Sequence, residues 1–210
     1  MTMILTNVCQ NAIQQCNKSI QLVQHTNEFF NSTVSSNGIV YSSDLHNCVI
    51  DGAFLELFMA FEQFLEQSFI CYMLGQAGIN GNSFVKYVSP QNEEHAIKIL
   101  KGISRHTDFT NRDTIVTFAN NFFENGGTYI YLNAISTDFE EMKKIRNAIS
   151  HISVESERAF KGLVRNKLGG LPPNVTTSSF LNTIVPNSTT TFFNYYKDVV
   201  IDAITNISNP

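Results

Sequence analysis

Apolar residues recur along the chain at three- and four-residue intervals rather than in alternation, a period that predicts helices almost throughout. Over residues 3–30, Leu5, Val8, Ala12, Cys16, Ile20, Val23 and Phe30 mark one helical face, with Gln, Asn and Lys opposite. Residues 31–38 break that helix, and residues 38–43 read as a short extended segment. A second long helix is predicted from Asp44 to Gly75, with Ser43 or Asp44 as its N-cap. At about 100° per residue its apolar positions, from Leu45 and Val49 through Phe54, Phe58, Phe61, Phe64 and Phe69 to Tyr72, cover more than half the circumference. That helix therefore belongs at the centre of the fold.

Ser89-Pro90 predicts the start of a third helix, which ends at Gly102, because Ser suits the N-cap and Pro the first helical position. A fourth helix is expected over about 111–123, closed by Asn125-Gly126-Gly127, and residues 128–132 read as a short strand or an extended loop. Thr137 followed by Glu140 matches a capping box and places another helix start there, with Phe139, Met142, Ile145 and Ile149 as its apolar stripe. A further helix begins at Ser153 or Ser156 and runs to Leu168, closed by Gly169-Gly170. Residues 172–186 read as irregular, and a last helix is expected over about 187–207. The pattern predicts one all-α domain over residues 1–210, a bundle of six or seven helices.

Composition narrows the class. Hydrophobic residues make up 43% of the chain and charged residues 15%, with 17 Phe and no Trp, which describes a globular protein with a Phe-rich core and a polar, largely uncharged surface. A net charge of −4 argues against non-specific coating of DNA. The basic residues are nevertheless concentrated: seven of the 14 lie between Lys143 and Lys167, against only Glu155 and Glu157. A solvated helix face is one reading of that excess, and a polyanion-binding surface is the other. Cys9, Cys16, Cys48 and Cys71 show no C-x-x-C pair and no metal-ligand spacing with a histidine, so they are expected to be reduced, with Cys9, Cys16 and Cys71 on apolar faces. No secretory signal, membrane span, metal site or cofactor motif is found, so a cytoplasmic protein without cofactor is expected. The Asn-x-Ser/Thr triplets at Asn31, Asn174, Asn187 and Asn206 are expected by chance in so Asn-rich a chain.

The candidate chemistry lies where the basic excess begins. Arg146, Asn147 and His151 fall within two turns of one predicted helix end. Asn147 and His151 are four apart and share a face, whereas Arg146 and His151 are five apart, about 140°, so a straight helix splays them. The set offers a permanent cation with five donors, an orienting amide, and an imidazole, whose ordinary titration lies near neutrality. Those groups suit cleavage of RNA by its own 2′-hydroxyl, with the imidazole moving the proton and the guanidinium stabilising phosphoryl charge. The chain shows no carboxylate cluster typical of a two-metal nuclease. By spacing alone Arg-x4-His occurs often by chance, and a histidine at a helix end is more often a cap than a catalyst.

Ile145-Arg146-Asn147-Ala148-Ile149-Ser150-His151 resembles the signature of HEPN-domain proteins: an Arg, then a polar residue, commonly Asn, then a His after four to six intervening residues. The aromatic stretch from Phe54 to Leu65 is similar to the early helix of the larger stand-alone bacterial members. The resemblance covers about residues 44–168, leaving the N-terminal helix over 3–30 and the C-terminal helix over 187–207 unmatched. It implies a HEPN-type helical bundle in which Arg146 and His151 are the catalytic pair, Asn147 the polar helper and Glu62 a possible support. It further implies a homodimer with a composite cleft, acting as a metal-independent endoribonuclease on an RNA substrate, as a toxin or antiviral abortive-infection effector controlled by an antitoxin or sensor protein. Lys143, Lys144, Arg158 and Lys161 are the candidate RNA contacts. The chain departs from the branch paired with a nucleotidyltransferase antitoxin, which carries a Tyr shortly after the His; here Ile152, Ser153 and Val154 follow. The alternative is a non-catalytic helical binding or dimerisation module in which the triplet caps a helix. An enzyme built on Glu62 with His95 or His106 lacks supporting spacing, and His25 and His46 read as surface or boundary residues.

Overall fold

Helices dominate for the reason the apolar period suggests: nearly every apolar stripe finds a partner face. A computed structural model describes residues 3–35, 43–103 and 108–210. Among the described residues the chain is all-α, with α1 (Leu5–Ser35), α2 (Ser43–Met73), α3 (Glu93–Ile103), α4 (Arg112–Phe122), α5 (Ser136–Ser150), α6 (Val154–Leu168), α7 (Thr177–Asn182) and α8 (Phe192–Ser208), and a 3-10 segment at Glu124–Asn133. Extended pairing there is limited to two isolated bridges, Lys86 with Phe123 and Ile184 with Thr191.

Several boundaries differ from the sequence expectation, each for a local reason. α1 continues through Asn31 to Ser35, and α2 includes Ser43; the rest of the expected extended segment lies outside the described residues. α3 begins at Glu93 rather than after Ser89, because the Asn92 side chain accepts the His95 backbone N–H at 2.9 Å and supplies a later cap. Residues 128–132 form neither strand nor extended loop but 3-10 turns, entered through Asn125, Gly126 and Gly127, all with positive φ. At Gly127 a Cβ would meet the Phe84 ring at 2.8 Å, so only glycine fits. α5 starts one residue early, leaving Thr137 inside its first turn. The region expected to be irregular contains α7, opened by a capping box between Thr176 and Ser179. α8 starts at Phe192, not near 187, because Asn187 takes φ 61° in a turn where the Val185 N–H donates to the Thr190 carbonyl at 2.9 Å.

The chain divides into two compact units. The first comprises Met1–Gln14, Ala60–Phe139 and Val200–Pro210. Its centre is Phe69, whose ring lies 4.9 Å from both Phe123 and Tyr129 and 5.8 Å from Phe122. Two buried hydroxyls are satisfied there: Tyr129 and Ser68 share a 2.8 Å hydrogen bond, and Tyr72 donates to the Ile207 carbonyl at 2.6 Å. Burial pushes the Cys71 thiol up to about 12, so it behaves as a small hydrophobe.

The second unit comprises Gln15–Met59 and Glu140–Val199. Phe54 packs edge-on against Phe193 and Tyr196, and Phe180 stacks on Phe192 at 4.3 Å while meeting Phe160 at 5.9 Å. Met142 and Ile145 of α5 are fully buried. The one acid on that buried face, Glu141, is 8% exposed and is met by the Tyr196 hydroxyl at 3.0 Å and the Lys167 ammonium at 2.7 Å. A carboxylate that deep is tolerated because both its partners are present. All four cysteines are free; Cys9, Cys16 and Cys71 are buried and Cys48 is exposed. Tyr196→Phe removes a hydrogen bond to a charged group at constant shape, and we expect it to cost about 1.5–3 kcal/mol of unfolding free energy in urea denaturation.

Candidate functional site

Two open grooves in the second unit share the turn between α5 and α6. The larger, of about 860 Å³, is lined by Lys144, Asn147, Ser150, His151 and the start of α6 through Ala159. The smaller, of about 510 Å³, shares His151 and is lined also by Ala148, Glu157, Phe160, Asp51, Val175 and Thr177.

Local chemistry fixes the turn. The α5 hydrogen-bond ladder extends to the His151 N–H, which donates to the Asn147 carbonyl at 2.9 Å. The next helix then needs a cap, and Ser153, with φ −137°, supplies it by accepting the Ser156 backbone N–H. The Ser156 hydroxyl reaches back and donates to the His151 carbonyl at 2.8 Å. The His151 backbone is thus held from both sides while its side chain is exposed. Ile152 beside it is fully exposed and Val154 is 74% exposed, an unusual pairing of apolar side chains on a turn.

The candidate triplet is only partly assembled. Asn147 and His151 line the larger groove together, as their four-residue spacing requires. Arg146 is half-buried and does not line it; its guanidinium donates to the Asn147 side-chain oxygen at 3.1 Å. The cation is thus bonded to Asn147, the member of the triplet that shares the groove with His151. Among the candidate RNA contacts, Lys144 lines the groove, whereas Lys143 and Arg158 do not and Lys161 is paired with Glu157. That ammonium holds the exposed Glu157 carboxyl below its ordinary range. Glu62 belongs to the other compact unit and is half-buried on α2.

The remaining histidines serve local structure or stand apart. The His95 ring accepts the Gln91 N–H at 3.2 Å at the head of α3. His46 stacks on Phe30 at 4.4 Å and bonds the Asn27 side chain at 2.7 Å, and burial lowers its pKa. His25 is exposed, and His106 lies outside the described residues. Among the described residues no three His, Cys, Asp or Glu side chains gather in a set that could hold a metal ion, and no helix is long and apolar enough to cross a membrane.

Asp51 and Thr177 had no signal in the sequence. The Thr177 hydroxyl donates to an Asp51 carboxylate oxygen at 2.7 Å across 126 positions of chain. Burial pushes the Asp51 carboxyl above its ordinary 3.8, and the Thr177 bond only partly offsets this.

Two outcomes follow from this geometry. A folded-state pKa raised by burial means that the folded chain binds more protons than the unfolded one, so this contribution is most favourable at pH below 3.8 and declines as pH rises through the folded value. Denaturation between about pH 4 and pH 7 should show wild type losing stability relative to Asp51→Asn. Ser153→Ala removes the α6 cap and should cost about 1 kcal/mol by the same measurement.

No protein-family model, curated protein or solved structure matches the chain, so its own residues carry the functional reading.

Proposed function

We propose that the chain is a HEPN-type, metal-independent endoribonuclease acting as a toxin or antiviral effector. The observation that carries this reading is the exposed His151 side chain in a groove with Lys144 and Asn147, the amide of Asn147 being bonded to the Arg146 guanidinium. An RNA phosphate in that groove is attacked by its own 2′-oxygen. The His151 imidazole takes the 2′-proton, the P–O5′ bond breaks, and an imidazolium returns a proton to the leaving 5′-oxygen. The products are a 2′,3′-cyclic phosphate and a 5′-hydroxyl. Lys144 and Arg146 supply the positive charge that the phosphoryl oxygens need in the transition state.

A homodimer completes the site. Arg146 and His151 of one chain do not meet in the groove, and Ile152 and Val154 offer apolar surface beside it that a second copy would bury. Facing grooves would place a guanidinium and an imidazole from different chains on one phosphate and provide both a base and an acid. The Arg146–Asn147 bond favours one second reading, a non-catalytic dimerisation module in which Arg146 orients the turn.

The two separate cleanly. In an RNA cleavage assay in EDTA, His151→Ala and Arg146→Ala should each lower the rate by about 10²–10⁴ with helix content unchanged. Ile152→Asp combined with Val154→Asp should give a monomer in sedimentation and lose cleavage with it. RNA left intact by wild type with and without divalent metals, or variants cutting at the wild-type rate, overturns the nuclease.

A further inference from the structure

We infer that the smaller groove is a guanine-binding subsite, in which the Asp51 carboxylate takes the N1–H and the exocyclic amine of one unpaired base. This rests on the ribonuclease reading for its biological meaning, although the binding can be measured without it. The groove opens from His151, so a base lodged there belongs to a nucleotide next to the reacting phosphate. Ala148, Phe160 and Val175 give it apolar walls, which suits the face of a base. Two carboxylates line it: Glu157 is exposed and already paired with the Lys161 ammonium, whereas Asp51 is half-buried and positioned by the Thr177 hydroxyl at 2.7 Å.

Chemistry then selects the base. A carboxylate only accepts hydrogen bonds, and each oxygen has more than one lone pair, so the Thr177 bond leaves acceptor capacity for a ligand. Guanine alone presents two N–H donors side by side on its Watson–Crick edge. Adenine and cytosine set one amine beside a ring nitrogen acceptor, which a carboxylate repels, and uracil flanks its one N–H with two carbonyls. Burial disfavours the charged form of Asp51, and two donors in a fork restore what the carboxylate lost on leaving water. The apolar lining and the Asp51 carboxylate are thus matched to guanine in chemistry.

The test uses the full-length protein and guanosine, adenosine, cytidine and uridine 5′-monophosphates at about pH 7.5, where an ordinary carboxyl is ionised, with binding followed by calorimetry. Guanosine monophosphate should bind at least tenfold more tightly than the other three. Asp51→Asn replaces an acceptor with a donor that opposes N1–H and should abolish that preference. Thr177→Val keeps the carboxylate but releases it, and should weaken guanosine monophosphate alone by several-fold. Circular dichroism melts establish that both variants are folded. In parallel, RNA oligonucleotides with guanine or adenine at the cleavage site should show a rate ratio that falls towards one in Asp51→Asn. Equal binding of all four nucleotides, or a preference unchanged in Asp51→Asn, overturns the subsite. Selective binding without RNA cleavage would instead leave the subsite standing and remove the nuclease; cleavage with no dependence on Asp51 would do the reverse.

Discussion

A single hydroxyl, that of Ser156, ties the carbonyl of His151 to the first turn of the following helix. The same carbonyl accepts the Ser153 backbone N–H at 3.0 Å, and the Ser153 side chain caps α6, so the three residues between α5 and α6 are defined by one short polar network. The Ser156 bond helps the chain pass from α5 to α6 in three residues and still leave the His151 side chain exposed. It also explains why the turn can carry Ile152 and Val154 in the open: its shape comes from hydroxyl and backbone hydrogen bonds, so its side chains are released from packing. A loop held by polar contacts with apolar tips is suited to meeting another surface.

The turn is only as fixed as the helix behind it. Met142 and Ile145 bury one face of α5, and Glu141 brings a charge to the same face, where Tyr196 and Lys167 meet it. Burying a carboxylate gains little stability compared with an apolar side chain, but it restricts the ways the helix can sit. A helix free to rotate by one residue would swing Asn147 and His151 by about 100° out of the groove they share. Lys167, which anchors Glu141, belongs to the same basic stretch as Lys144. Part of the local positive excess is thus structural and part is available in the groove.

Much of this was legible from residue order. The apolar periods of α2, α4, α6 and the body of α5 identified the helices, and the four-residue spacing of Asn147 and His151 predicted the face they share. Where the reading failed, a local group outcompeted the pattern. Asn92 offered a better cap than Ser89, and three consecutive positive-φ residues led into 3-10 turns where β-rich residues suggested a strand. α7, at six residues, is too short for a helical period to declare itself. The contact between Asp51 and Thr177 was out of reach, because nothing in either neighbourhood marks a partner 126 positions away. The direction of the Arg146 side chain towards Asn147 likewise depends on a rotamer, which spacing does not encode.

The role proposed for His151 is to move protons in a phosphoryl transfer driven by the RNA's own 2′-oxygen. Mass spectrometry of fragments made in EDTA tests it most directly, because the chemistry is written in the product ends. The account predicts 2′,3′-cyclic phosphates paired with 5′-hydroxyls from wild type and none from His151→Ala. Fragments carrying 5′-phosphates and 3′-hydroxyls would mean that water, not the 2′-oxygen, attacked, and would contradict it.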